Sequence, residues 1–166
     1  MSDTFAPIRK LSANDAVAAF DCGQPALNLF LRRHAWTNQQ ANSAQTYVCC
    51  YQGEVVAYYS LAVGGVDPES APGRVVRGLA RNSVPVMLLA RLAVATARQR
   101  RGLGKALLRD ALLRTVQAAD IAGIRALLVH AKDEDARNWY RSWEFETSPT
   151  DPYHLFLLLK DLKALL

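Results

Sequence analysis

A chain of 166 residues, 51% of them apolar and with a formal net charge of +5, can fill one α/β core but is short for two independent ones. Such a composition excludes a disordered chain, and no apolar run approaches the roughly 20 residues that cross a bilayer. The opening Met1-Ser-Asp-Thr-Phe5 lacks a basic-then-apolar leader, so the expectation is one domain, 1–166, in the cytoplasm with no membrane segment.

Along the chain, Pro7–Leu11 reads as a short opening strand, and Ser12 offers an N-cap for a short helix over 13–20 that ends near Cys22-Gly23. The stretch 24–42 is an amphipathic helix in which Leu27, Phe30, Leu31 and Ala35 form the apolar face. The period then changes. Thr46–Tyr51 and Val55–Val63 are β-branched and aromatic, and Gln52-Gly53 between them signals a hairpin. Cys49 and Cys50 lie in that run as small core residues. Three cysteines, two of them adjacent, argue against a disulfide framework, and nothing around them has metal-ligand spacing.

Gly64–Asn82, with Pro68, Pro72, Gly73 and Gly78, is an irregular excursion with room for one helical turn. Val84–Val94 is a strand too continuously apolar to have a face in water. Gly102–Ala119 is a helix with Leu103, Leu107, Ala111 and Val116 as buried candidates. Arg125–Ala131 reads as a strand, Asp133–Trp143 as a helix and Tyr153–Leu159 as a last strand. This order predicts an α/β fold of the α+β kind, with one mixed central sheet, antiparallel at first, and helices on its faces.

The charge is unevenly placed. From Ser70 to Arg109 there is no Asp or Glu, and the window carries Arg74, Arg77, Arg81, Arg91, Arg98, Arg100, Arg101, Lys105 and Arg109. Such a run is either a solvated basic face or a docking surface for phosphates. Within it a buried strand leads through Gln99-Arg-Arg-Gly102-Leu-Gly104 into a helix. Backbone N–H groups at a helix start lack intrahelical partners and face the positive end of the dipole, which suits a phosphate. Gly102 and Gly104 let an anion approach the backbone, while Arg100, Arg101 and Lys105 add mobile charge. The loop is neither a dinucleotide fingerprint, since Leu107 stands at the third glycine position, nor a P-loop, which ends in Gly-Lys-Ser/Thr.

The loop Gln99-Arg-Arg-Gly102-Leu-Gly104 resembles the Gln/Arg-x-x-Gly-x-Gly/Ala element of the GNAT N-acetyltransferases. Ala90-Arg-Leu-Ala-Val94 is similar to the fourth strand of that family, which splays from the fifth to admit the pantetheine arm of acetyl-coenzyme A. Asn138-Trp-Tyr140-Arg-Ser-Trp-Glu-Phe145 resembles the later Asn-x-x-Tyr-x-x-x-Gly-Phe element, with Glu144 where glycine is usual. At the front, Phe20-Asp-Cys-Gly-Gln-Pro-Ala-Leu-Asn28-Leu-Phe-Leu31 is similar to the opening of GNAT toxins from toxin–antitoxin pairs.

The resemblance implies the GNAT fold and acetyl-coenzyme A as acetyl donor, held by Leu92, Ala93, Val94, Gln99, Arg100, Arg101, Gly102, Leu103, Gly104, Lys105 and Asn138. It implies aminoacyl-tRNA as acceptor, a ribbon-helix-helix antitoxin as partner, and a homodimer. It also implies Tyr140 as the acid that protonates the leaving sulfur; the residues alone favour an aromatic core cluster with Trp139 and Trp143.

A free α-amino group ionises near 7.7–8.0, and esterification of its carboxyl lowers that further, so such an amine needs no strong base. No carboxylate stands out as one: Asp133, Glu134 and Asp135 suit a helix start, and Glu54 a hairpin turn. A strand N–H, that of Val94, is the candidate to meet negative charge on the thioester oxygen. Arg32, Arg33, Arg74, Arg77, Arg81 and Arg91 are candidates for tRNA phosphates, and Arg98 for the coenzyme rim. No metal is expected. Two other readings stand beside this one, a GNAT enzyme for a small amine, peptide or protein amino group, and a non-catalytic acyl-coenzyme A sensor or nucleic-acid-binding module.

Overall fold

The computed structural model describes residues 4–80 and 82–166. In chain order the elements are β1 (Arg9–Lys10), α1 (Pro25–Leu29), a π-helical turn (Phe30–His34), α2 (Ala35–Gln40), β2 (Gln45–Tyr51), β3 (Glu54–Val66), α3 (Gly73–Val76) and β4 (Val84–Val94). There follow α4 (Leu103–Ala119), β5 (Ala126–His130), α5 (Glu134–Arg141), β6 (Glu146–Thr147), β7 (His154–Leu158) and α6 (Leu159–Ala164). One mixed sheet has the strand order β1-β2-β3-β4-β5-β7-β6. The chain forms two compact units, 1–62 with 90–111, and 63–89 with 112–166.

In the first unit β1 and β2 pair antiparallel, as do β2 and β3. Gln52 (φ 51) and Gly53 (φ 83) turn the predicted hairpin, both in the left-handed region that a tight two-residue loop demands. Phe20, Phe30, Leu31, Val48, Val55, Tyr58 and Ala93 share one apolar cluster. Tyr58 stacks on Phe30 at 6.1 Å and meets Phe20 edge-on at 5.5 Å. Its hydroxyl donates to the Leu27 carbonyl at 2.7 Å, which removes the cost of burying it.

The expected helix over 13–20 is not formed. Residues 13–14 and 18–19 are turns instead, and Ala16 makes an isolated bridge with Glu54, accepting from Val55 N–H at 3.0 Å. Asp15 explains the difference. Its carboxylate takes the Ser12 N–H at 2.7 Å and the Arg9 guanidinium at 2.7 and 2.9 Å, which closes the chain back on β1. The helix over 24–42 forms as Pro25–Gln40, with the π turn inside it. Asn42 ends it at φ 57, with Ser43 N–H bonded to Asn38 O at 2.9 Å and Asn42 N–H to Gln39 O at 3.1 Å, the paired bonds of a Schellman stop.

The second unit is built on β4, β5 and β7. Val86 to Leu89 pair in parallel with Ala126 to Val129, and β5 pairs antiparallel with β7 along its whole length. Ala71, Val75, Val84, Val86, Ala126, Leu128 and Phe156 pack as its core. β6 and α6 extend this unit beyond the expected elements. Arg74 ties α3 to both of them, reaching Glu146 at 2.8 Å and Asp161 at 2.7 and 3.0 Å.

Helix α5 starts as the acidic triplet suggests: Asp133 accepts from Ala136 N–H at 2.8 Å. Its end is a second Schellman stop. Phe145 N–H reaches Tyr140 O at 3.4 Å, Glu144 N–H reaches Arg141 O at 3.0 Å, and the Tyr140 and Phe145 rings touch edge-on at 5.4 Å. Glu144 occupies the left-handed position at φ 73. That φ explains why the family favours glycine here: any other residue bears a Cβ penalty of roughly 1–2 kcal/mol.

Candidate active site

β4 outruns its neighbour. The parallel ladder ends at Leu89↔Val129 and β5 itself ends at His130, whereas β4 continues to Val94. This is the parting of the fourth and fifth strands that the family resemblance implied. Among the described residues the ladder with β5 covers Val86–Leu89 only, and Ala90–Val94 runs on past it. Leu92, Ala93 and Val94 all lie in this segment; Ala93 is buried, the other two half-buried.

Beyond β4 the chain makes a short 3-10 turn, Thr96–Arg98, and reaches α4 through a loop of alternating hand. Arg100 (φ 64) and Gly102 (φ 80) both lie in the left-handed region. Such alternation turns successive N–H groups into a concavity for an anion. Helix α4 closes its first turn with Ala106 N–H on Gly102 O at 3.0 Å, so the N–H groups of Leu103 and Gly104 fall in the first turn, ahead of the regular intrahelical ladder. A Cβ on Gly102 would meet nothing within 4 Å. The glycine is needed for its conformation, and the space before it is open. Leu103 is buried and anchors the helix start, while Arg100 and Arg101 are exposed at the rim. A pyrophosphate fits this donor set.

Two contacts hold the loop in place. Gln99 Nε2 donates to Val94 O at 3.0 Å. The front motif supplies the other. Asn28, buried at 8% exposure, accepts from Cys22 N–H at 2.9 Å and donates to Asp21 at 3.0 Å. Asp21 O in turn accepts from Thr96 N–H at 2.8 Å. Gly23 (φ 85) brings this motif so close that a Cβ would stand 3.4 Å from Thr96 Cγ2. Sequence reasoning quoted this stretch as a resemblance but gave Asp21 and Asn28 no role. Their signal is an Asx pair seven residues apart around a glycine, which carries meaning only once the coenzyme loop lies against it.

In the second unit, Tyr140 is 8% exposed and burial pushes its phenol well above the usual tyrosine range. It therefore stays protonated and able to donate. Trp139 and Phe145 meet it edge-on, at 5.0 and 5.4 Å. Asn138 is exposed on α5, one turn before the helix end. At the end of β5 the His130 and His154 rings stack at 4.0 Å, and burial followed by the neighbouring imidazole lowers the His130 pKa. No cluster of three metal-ligating side chains occurs among the described residues.

The arginines singled out for phosphates are used in different ways. Arg32 donates to Phe20 O at 2.8 Å. Arg91 is half-buried, with its guanidinium 3.7 Å from the Phe30 ring centroid, and Arg98 lies 4.1 Å over Tyr51. Arg74 is bound to two carboxylates. Arg33 and Arg77 are exposed. Arg81 lies outside the described residues.

The parted parallel strands, and the glycine-arginine cradle at the head of the helix that follows, are the marks of an acetyl-coenzyme A-binding acetyltransferase. Residues 42–147 match the family model of an acetyltransferase (GNAT) domain, and the chain belongs to that family. It is 49% identical to a tRNA-acetylating toxin of Mycobacterium tuberculosis over 166 residues, 100% of this chain and 99% of the relative. Among solved structures, AtaT complexed with acetyl-methionyl-tRNAfMet is similar with a TM-score of 0.89 at 27% identity, covering 98% of this chain and 99% of that one. AtaTR bound with AcCoA gives a TM-score of 0.83 at 27% identity, covering 99% of each chain. A KacT variant, 23% identical with a TM-score of 0.89 over 98% of this chain and 99% of the other, shares the fold.

Proposed function

We propose that this protein transfers acetyl from acetyl-coenzyme A to the α-amino group of an aminoacyl-tRNA, and so acts as a toxin that inhibits translation in the cytoplasm. The observation that carries the acceptor is the 49% identity, across the whole chain, to a tRNA-acetylating toxin. The cradle at Arg100–Gly104 supports the donor. Complexes of AtaT with AtaR among the similar structures support a cognate antitoxin, and the sequence resemblance to toxins of this kind supports its ribbon-helix-helix class and a homodimer of single-domain chains.

The coenzyme supplies an activated acetyl thioester. N–H groups of Leu103 and Gly104, with Arg100, Arg101 and Lys105 at the rim, hold its pyrophosphate, and Gln99 fixes the loop. Backbone groups of Leu92, Ala93 and Val94 align the pantetheine arm, with Asn138 contributing from α5. The Val94 N–H steadies negative charge on the carbonyl oxygen as the amine attacks. An α-amine beside an ester is largely neutral near pH 7.5 and attacks without prior deprotonation; the proton that its nitrogen then sheds passes to solvent, Tyr140 gives its proton to the departing sulfur, and solvent returns one to the phenol. No carboxylate base is required.

The test incubates the purified protein with labelled acetyl-coenzyme A and total charged tRNA. Label on the aminoacyl end is expected. Transfer to free amines or peptides, with none to charged tRNA, would overturn the acceptor assignment.

A further inference from the structure

The second unit has a cavity of about 540 Å³ lined by five cations: Arg74, Arg77, Arg125, Lys160 and Lys163. Among the described residues no carboxylate lines it, and its floor is apolar, with Ile124 and Leu158. Asp161 and Glu146 neutralise Arg74 from outside, and the cations still outnumber them. Arg125 is fixed, donating to Val75 O at 2.7 Å and to Arg77 O at 3.0 Å. The heads of Arg77, Lys160 and Lys163 stand exposed on flexible stems. Like charges gathered round one cavity repel each other, and an anion relieves that cost.

We infer that this cavity grips the phosphodiester backbone of the RNA substrate at a point remote from the reacting amine. The identity of that RNA as aminoacyl-tRNA rests on the function proposed above. Three features choose a backbone over other anions. Mobile ammonium groups are point charges without directional demands, suited to phosphate. Among the described residues no aromatic side chain lines the cavity, so unstacked bases have nothing to lie on, which favours a helical stem. Its place also fits. Ile124 and Arg125 precede β5 and Leu158 ends β7, so the cavity sits at the end of β5 opposite His130. It is therefore a strand's length, roughly 16 Å for five residues, from the end that leads into α5. A contact there can hold a stem while its aminoacyl end lies elsewhere. Sequence reasoning reached only Arg74 and Arg77 of this set, because α6 lies far along the chain from α3.

The test compares the unmodified protein with Arg77→Gln/Lys160→Gln/Lys163→Gln, using deacylated total tRNA as the probe and following binding from low to moderate salt. The substituted side chains are exposed, and only the backbone of Arg77 is used in the fold. The triple variant should bind at least tenfold more weakly at low salt, its log-log salt slope should fall by about three, one for each phosphate contact, and its coenzyme A affinity should be unchanged. Binding within twofold of the unmodified protein with the same slope would overturn the inference. So would an equal loss in a control neutralised at Lys10, Lys132 and Arg141, failure of the unmodified protein to bind tRNA, or a loss confined to an acidic peptide such as poly-glutamate. Acetylation of charged tRNA by the unmodified protein is scored separately. Should tRNA bind through the patch without accepting acetyl, the patch stands and the acceptor assignment falls; should acetylation proceed with the patch silent, the reverse holds.

Discussion

Gln99 returns to the strand it has just left, its side-chain amide donating to Val94 O at 3.0 Å. The bond joins the segment that faces the pantetheine arm to the loop that faces the pyrophosphate, so one side chain sets the distance between two halves of a cofactor site. Gln99→Ala should lose one hydrogen bond, worth about 1 kcal/mol. Coenzyme A affinity measured by calorimetry should fall about fivefold, with the folded fraction unchanged.

Gly102 combines a left-handed φ of 80 with open space before it. Gly102→Ala should cost roughly 1–2 kcal/mol in backbone strain and crowd the anion. Affinity for acetyl-coenzyme A should drop tenfold or more. An unaltered dissociation constant would remove this loop from the coenzyme site.

Tyr140→Phe keeps the ring contacts with Trp139 and Phe145 and deletes the proton. Turnover should fall by about 10²–10⁴, the usual contribution of a general acid, while coenzyme binding holds. Equal rates for the two proteins would take Tyr140 out of the acid role.

The pH profile follows from the same group. Burial raises the Tyr140 pKa, so the protonated form persists through the alkaline range. The rising limb of kcat/KM belongs to the amine, whose neutral fraction grows up to about pH 8. The rate should climb with pH and then stay level past pH 9; a fall there would mean that an acid with a lower pKa is at work.

Glu144 stands where the local turn wants glycine (φ 73). Glu144→Gly should raise stability by about 1 kcal/mol, or 2–4 °C in Tm for a chain of this size, read by thermal unfolding.

The sequence carried most of the fold because its signals were local. Gln52-Gly53, the run Val84–Val94 and the acidic start of α5 each declare themselves within a few residues, and each formed where expected. The helix over 13–20 failed because Asp15 had a stronger claimant in Arg9, whose position beside it depends on β1. β6 and α6 were missed for the opposite reason: short elements held by Arg74 from a distant part of the chain leave no period to read. The coenzyme loop was legible residue by residue. Its braces, Asp21 and Asn28, were not, since a hydrogen bond to Thr96 N–H spans 75 positions of sequence.

The π turn at Phe30–His34 also has a cost in tolerance to change. Leu27, Leu31, Ala35 and Gln39 repeat every fourth position, and Gln39 reaches Leu11 O and Thr46 N–H from the same side. A regular α-helix would rotate such a series by about 40° per step, or about 120° across it, and carry Gln39 away from both partners. The wide turn cancels that rotation. Deleting one residue between Phe30 and His34 would let the coil wind regularly, swing Ala35 toward water and Trp36 toward the apolar side, and unfasten the helix from the strands it covers. A one-codon deletion here should therefore be far more damaging than any single replacement within the turn.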